Sequence, residues 1–246
     1  PDKPVRLGPG EPARQIVPDA RLLEDPNASL NLHQALQADG WYSPSGNALA
    51  FGYSLSAWWL KWQVENPLER EQTLVIDLGQ PRHDLAQWYI VRNNGAQIEE
   101  IQSGDRLPFA SQPLDSRNIV APVTLRPGEQ VDVIVRLTTH DGLFEAMPVT
   151  LHTEESFHRA TDTENKVLML FHGGVIALAL YNLLLFFATR EKSFGLYSHY
   201  LFWFLAWSLT WRGYTFQYLW PNSPDFTNNF LNVAAAGTFG SVGLFC

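Results

Sequence analysis

The sequence predicts two unlike parts in one chain, an antiparallel β-sandwich followed by membrane-spanning helices. Three observations lead there. Residues 1–166 carry 14 basic and 23 acidic side chains, whereas the last 80 carry 3 and 2. Aromatic residues divide the other way, with 20 of the 32 in those last 80. Apolar and polar residues alternate with period two between Gly40 and His152, while long uncharged runs follow Lys166. A domain so poor in charge and so rich in aromatics would precipitate from water.

In the front part, residues 1–27 are rich in Pro, Gly, Asp and Arg and read as an extended lead-in. Asn31 suits the N-cap of a short helix over Leu32–Gln37, with Leu32 and Leu36 one turn apart. The first strand is Trp58–Glu65: Trp58, Leu60, Trp62 and Val64 share one face, and Lys61, Gln63 and Glu65 share the other. Asn66-Pro67 ends it. Thr73–Leu78 alternates in the same way. Gln87–Val91 and Ala96–Ile101 flank Asn93-Asn94-Gly95, and Ile119–Leu125 and Gln130–Leu137 flank Arg126-Pro127-Gly128-Glu129; both are hairpin signals. Met147–His152 closes the set. Seven or so short strands with little helix give a sandwich over residues 28–157, with a charged stalk at 158–166.

Three uncharged runs follow: Val167–Ala188, Ser193–Trp211 and Phe226–Cys246, of 22, 19 and 21 residues. The first spans ~33 Å as a helix, enough for a bilayer core of about 30 Å. Three spans over 167–246 are the economical reading, against a buried helical hairpin of a soluble protein. Arg190 and Lys192 lie between the first and second runs, and Arg212 is the only basic residue between the second and third. The positive-inside rule then places residues 1–166 outside the cytoplasm. Tyr214, Phe216, Tyr218 and Trp220 form an aromatic belt on that side. The chain starts at Pro1 rather than Met, as expected after removal of a secretory signal or trimming.

Several ordered landmarks resemble a known family. They are Trp58-Trp59-Leu60-Lys61-Trp62, Glu65-Asn66-Pro67, Ile76-Asp77-Leu78-Gly79-Gln80-Pro81, Gly104-Asp105-Arg106-Leu107-Pro108-Phe109, Arg117 and Leu125-Arg126-Pro127-Gly128-Glu129. The family is the type 2 extracellular domain of bacterial seven-transmembrane receptors with diverse intracellular signalling modules. The segment after Lys166 is similar to the start of the membrane domain that follows it. The resemblance implies an all-β, jelly-roll-like antiparallel sandwich in the periplasm, likened to carbohydrate-binding modules, on an inner-membrane domain. It also implies a cytoplasmic output, a diguanylate cyclase acting through cyclic di-GMP or, alternatively, a histidine kinase. This chain then reads as the front part of a longer receptor. Lys61 departs from the Arg often found there, which weakens any bidentate contact at that position.

The expected ligand residues are Trp59, Lys61, Tyr89, Arg117, Asn118, His140 and Asp141. Trp59 shares its strand face with polar residues, so its indole is expected to be exposed and able to stack on a sugar ring. Trp88 and Tyr89 must point to opposite faces. Arg117 either clamps a carboxylate or pairs with Asp105 or Asp115 to hold a loop. His140-Asp141-Gly142 reads as a turn, with a pH-responsive or metal-touching corner as the alternative. Inside the membrane His172, Asn182 and His199 are costly, and serve either as interhelical glue or as a relay. Asn182 and His199 lie at similar depth, ~9 Å by helical rise, which would let them hydrogen-bond between helices.

Other classes are excluded or disfavoured. The acidic front half offers no basic stripe for nucleic acid. The only cysteine is Cys246, so there is no disulfide scaffold. No serine-hydrolase elbow or zinc-protease motif occurs, and the segment is expected not to be an enzyme. No cofactor is implied, although Asp77, Asp84 and Asp105 leave calcium open. The expected partners are a small polar or carbohydrate-like ligand, membrane lipid, and a second copy or partner receptor. A surface interaction module or an anchoring lectin remains the alternative.

Overall fold

A computed structural model of the chain describes residues 3–139 and 146–244. The chain divides into two compact units, Pro1–His158 and Arg159–Cys246. Among the described residues the first holds nine strands: β1 Ala13–Gln15, β2 Arg21–Asp25, β3 Ala57–Glu65, β4 Gln72–Asp77, β5 Leu85–Arg92, β6 Gln97–Ser103, β7 Val120–Leu125, β8 Gln130–Thr138 and β9 Thr150–Thr153. They form two sheets, β1-β9-β4-β7 and β2-β3-β8-β5-β6, in which all neighbours run antiparallel. This is the sandwich the alternation predicts.

The inner faces supply one shared core. Leu60, Trp62 and Val64 of β3, with Trp88 and Ile90 of β5, meet Leu74 and Ile76 of β4, Val123 and Leu125 of β7 and Leu151 of β9. Two core tryptophans satisfy their N–H groups: Trp62 donates to the Ile16 carbonyl at 2.9 Å and Trp88 to Ser103 Oγ at 3.2 Å. Trp88 therefore takes the inner face, and Tyr89 the outer.

The stretch read as a lead-in is built into both sheets. β1 pairs with β9, β2 pairs with β3, and Val5 bridges Val64. Strands of three and five residues between Pro and Gly are too short to show a period of their own. The short helix α1, Leu32–Gln37, is where the capping signal puts it. Asn31 Oδ1 accepts from the Gln34 N–H and Gln34 Oε1 accepts from the Asn31 N–H, both at 2.9 Å.

The second unit is helical. α2, Glu154–Thr189, begins in the first unit and continues through the second; α3 is Lys192–Trp211 and α4 is Pro224–Gly243. A π-helical turn, Thr215–Leu219, lies between α3 and α4. Of the three helices, α2 is both long and apolar enough to cross a membrane. α3 and α4 pack closely, whereas α2 approaches α3 at only a few points.

Candidate ligand face and helical seam

The outer face of the five-stranded sheet gathers three of the expected ligand residues. Cross-strand register sets Lys61, Ile134, Tyr89 and Glu100 in one row. The neighbouring row is Leu23, Trp59, Arg136, Gln87 and Gln102. Trp59 is not the exposed platform its strand alternation suggests. It is fully buried in a second apolar cluster with Leu23, Ala35, Val91 and Ile134. The reason is α1, which lies over this face and is held by Trp41 Nε1 donating to the Ala35 carbonyl at 2.9 Å. Alternation separates two faces of a strand; it does not say which segment covers either.

Around Trp59 the packing is aromatic and cationic. Tyr89 stacks on it at 6.2 Å between centroids, and the Arg136 guanidinium stands 5.7 Å from the ring. Arg136 Nη1 donates to Gln87 Oε1 at 2.9 Å and Nη2 to the Ala28 carbonyl at 2.8 Å. Sequence reasoning passed over Arg136, although period two puts it on the same face of β8 as Ile134 and Asp132. Lys61 Nζ pairs with Asp132 Oδ2 at 2.9 Å. Burial pushes the Tyr89 hydroxyl pKa up, Glu100 adds to this and Arg136 opposes it, so the phenol stays a donor through neutral pH. Where α1 ends, a cleft of about 490 Å³ opens, lined by Leu36, Gln63, Val91, Asn93, Gln130 and Asp132 among others.

Arg117 and Asn118 belong to another region, the loop entering β7 in the four-stranded sheet. Asn118 Nδ2 donates to Asp77 Oδ2 at 3.1 Å, and Arg117 is buried. The expected ligand set is thus not one constellation. His140 and Asp141 lie outside the described residues. Asp84, offered as a calcium ligand, pairs with Arg106 at 3.2 Å, and among the described residues no cluster of three or more His, Cys, Asp or Glu could hold a metal. His83 beside it is buried. Desolvation, aided by Arg82 and opposed by Asp84, drops its pKa to about 4.

In the helical unit, the buried or half-buried positions of α2 run Thr161, Asn165, Leu168, His172, Val175, Ala179 and Asn182, and end at the adjacent Leu185 and Phe186. Spacings alternate between four and three, the period of a left-handed helix seam. His172 Nε2 and Ser208 Oγ of α3 share a hydrogen bond of 3.0 Å. The Tyr214 ring meets His172 edge-on at 6.0 Å, and its hydroxyl donates to Asn165 Oδ1 at 3.0 Å. The Asn182–His199 hydrogen bond that equal depth would allow does not form. Asn182 Nδ2 donates to the Leu178 carbonyl of its own helix at 2.8 Å, while His199 is exposed beside Trp203. Ser198 holds the seam instead, donating to the Ala179 carbonyl at 3.0 Å. Adjacent helical residues point about 100° apart, so equal depth does not mean an equal face. Asn165 and Ser208 escaped sequence reasoning, and Tyr214, expected in an aromatic belt, is buried against His172, yet the seven and ten residues separating Asn165, His172 and Asn182 mark one stripe.

Comparison with known families matches 7TMR-DISM extracellular 2 to residues 18–153 and 7TM diverse intracellular signalling to residues 164–246. The chain belongs to the 7TMR-DISM receptors. It is a membrane protein with an extracellular-type sensor domain ahead of a transmembrane domain, and neither domain is catalytic. No curated protein matches it. Solved structures that are similar include TmCBM61 in complex with beta-1,4-galactotriose (10% identity, TM-score 0.29, covering 55% of this chain and 88% of that one). CBM35 from Cellvibrio japonicus Abf62 is also similar (18% identity, TM-score 0.23, covering 54% and 91%).

In this 7TMR-DISM chain several family landmarks are folding devices. Buried Asn66 ends β3, its Nδ2 donating to the Arg70 and Leu125 carbonyls at 2.8 and 3.1 Å. Asp77 Oδ1 accepts from the Gly79 N–H at 2.7 Å to form a turn. Gly104 sits at φ +149° against the Asp84 carbonyl, where a Cβ would stand 2.3 Å away; only glycine fits. Glu129 closes its hairpin by accepting from the Arg126 N–H at 2.8 Å.

Proposed function

We propose that the chain is the input half of a bacterial inner-membrane receptor, with the sandwich in the periplasm and the output module in the cytoplasm. A small, neutral, polar, sugar-like ligand binds the outer face of the five-stranded sheet beside α1. Support comes from the charge state of that face. Lys61 is paired with Asp132, Arg136 with Gln87 and Ala28, and Glu100 accepts from Gln102 at 2.9 Å. A face whose charged groups already have hydrogen-bond partners, next to a cleft lined by Gln63, Gln130 and Asn93, suits hydroxyl groups rather than an ion. Arg117 and Asn118 contribute to a site only if the ligand reaches the β7 end.

The observation that carries a sensing role is the junction of strand and helix. β9 ends at Thr153 and α2 starts at Glu154, with no linker between them. Thr153 Oγ1 accepts from the Ser156 N–H at 3.2 Å, capping the helix, and Phe157 is buried against Val75 and Val120. A displacement in the four-stranded sheet therefore moves the first turn of α2 directly. A coupling of about 1–3 kcal/mol gives a graded response. His172 belongs to the relay; Asn182 and His199 belong to it through their own helices rather than as a pair. Diguanylate cyclase is the leading output and histidine kinase the alternative. Arg190 and Lys192, which flank the turn between α2 and α3, favour a cytoplasmic location for that turn.

The test is a thermal-shift screen of the intact chain in nanodiscs against neutral mono- and disaccharides, amino acids and calcium. A true ligand at a hundredfold excess over Kd adds about 2.7 kcal/mol. The shift should fall with Gln63→Ala and Gln130→Ala. A flexible Gly/Ser insertion between Glu154 and Lys166 should abolish the output response; retention would sink the mechanical account. A second reading, docking of a protein partner, is favoured by the β3-side loop, where Tyr53 and Leu55 are 85% and 75% exposed. A panel without hits, together with a co-purifying protein, would select it.

A further inference from the structure

Six described glycines lie within α2, α3 and α4, and they divide into two kinds. Gly195 of α3 and Gly237 of α4 are sites of close approach: an added Cβ would stand 3.0 Å from the Phe186 ring and 2.3 Å from the Trp203 ring. Gly173 and Gly174 of α2, like Gly240 and Gly243 in the last turn of α4, have no heavy atom within 4 Å of such a Cβ, but only the α2 glycines are adjacent and in mid-helix. Each glycine in a helix interior weakens the helix relative to alanine, because of its extra backbone freedom. Here no packing offsets that cost, and an adjacent glycine pair is one of the recognised causes of helix bending.

The contacts that hold α2 lie on both sides of this pair and not at it. On the N-terminal side, Asn165 accepts the Tyr214 hydroxyl, and His172 is hydrogen-bonded to Ser208 and packed edge-on against Tyr214. On the C-terminal side, Ser198 donates to the Ala179 carbonyl and the Phe186 ring lies against Gly195. Each half of α2 is thus fastened separately to the closely packed α3–α4 pair. Tyr214 is also the N-cap of the π-helical turn, a form that occurs mostly at functional positions.

We propose that Gly173–Gly174 is a hinge in α2, and that the His172–Ser208 hydrogen bond with the Tyr214–Asn165 contact is the latch that holds its upper half. With the latch open, the segment before Gly173 pivots while the segment after Gly174 keeps its hold on α3. That this pivot carries a ligand signal rests on the receptor reading above; the hinge itself does not.

The experiment is a spin-label distance measurement between Val167→Cys and Leu184→Cys, both exposed positions, in an otherwise cysteine-free full-length receptor in nanodiscs without ligand. The wild-type background should give a broad or two-component distribution around the ~25 Å expected for 17 residues of helix. Gly173→Ala with Gly174→Ala should collapse it to a single narrow distance. Ser208→Ala, which keeps the glycines and opens the latch, should enlarge the shorter component about threefold, the effect of an average interhelical hydrogen bond in a bilayer. A narrow distribution in the wild type, or no change with Ser208→Ala, overturns the proposal. So does loss of folded receptor on alanine substitution, which would mean that the glycines accommodate another helix. Because no ligand or output is read, the receptor assignment stands or falls separately.

Discussion

In the sandwich, Leu60, Trp62 and Ile76 are wholly buried, and Lys61, Gln63 and Glu65 lie on the far side of the same strand as Leu60 and Trp62. In α2 the arrangement is reversed: Leu170 is 80% exposed and His172 2%. Both regions obey one rule, that each surface matches its solvent, but the solvents differ. Water around the sandwich drives apolar side chains inward. Lipid around α2 gives no such drive, so the seam is selected by hydrogen bonding and close fit, and polar residues collect there.

That contrast can be broken by substitution, and the largest effect should come from the sandwich core. Trp62→Ala removes a wholly buried indole together with its bond to Ile16, and should cost about 3–5 kcal/mol. Loss of hydrogen-exchange protection across β3 and β8, with protection of α3 and α4 retained, is the expected pattern. Collapse of both units together would show that they do not stand separately.

Acid tests the sandwich a second way. His83 titrates at 6.5 when unfolded and about 4 when folded. Above pH 6.5 both states are neutral and the residue leaves stability untouched. As pH falls below 6.5 only the unfolded state gains the proton, so stability drops until about pH 4, where the folded state is protonated too. The full loss is roughly 3 kcal/mol. His83→Gln should flatten the denaturation midpoint between pH 6.5 and 4; an unchanged slope would place the acid sensitivity elsewhere.

The reversed pattern of α2 predicts opposite outcomes for two polarity swaps. Leu170→Lys puts a charge on the outward face and should raise the insertion cost by about 3 kcal/mol. Asn182→Leu removes a hydrogen bond made only within α2 and should change stability by less than about 1 kcal/mol. Insertion yield in a glycosylation-mapping assay separates the two. A comparably small effect concerns the covered face: Asn31→Ala removes half of the α1 capping box and should cost about 1 kcal/mol. Its mark is faster quenching of Trp59 fluorescence as α1 loosens over β3.

Several parts of this structure were legible because their cause is local. The ends of β3 to β8 follow from alternation and turn residues, and α1 from Asn31 and Gln34. β1 and β2 were not, since strands of three and five residues are defined by their partners β9 and β3. Asn165, His172 and Asn182 carry a readable stripe spacing. That Asn182 and His199 do not pair was not legible, because depth fixes height along a helix and leaves rotation free.

From its own order of residues the chain determines two solvents, two architectures and the strands that alternate, because each depends on neighbours one to four positions away. Tertiary structure alone decided that α1 lies over Trp59, that Arg136 stands on its ring, and that Ser208 and Tyr214 meet His172. Those contacts join residues 24 to 77 positions apart along the chain, and no local pattern records which of many chemically equivalent surfaces will meet.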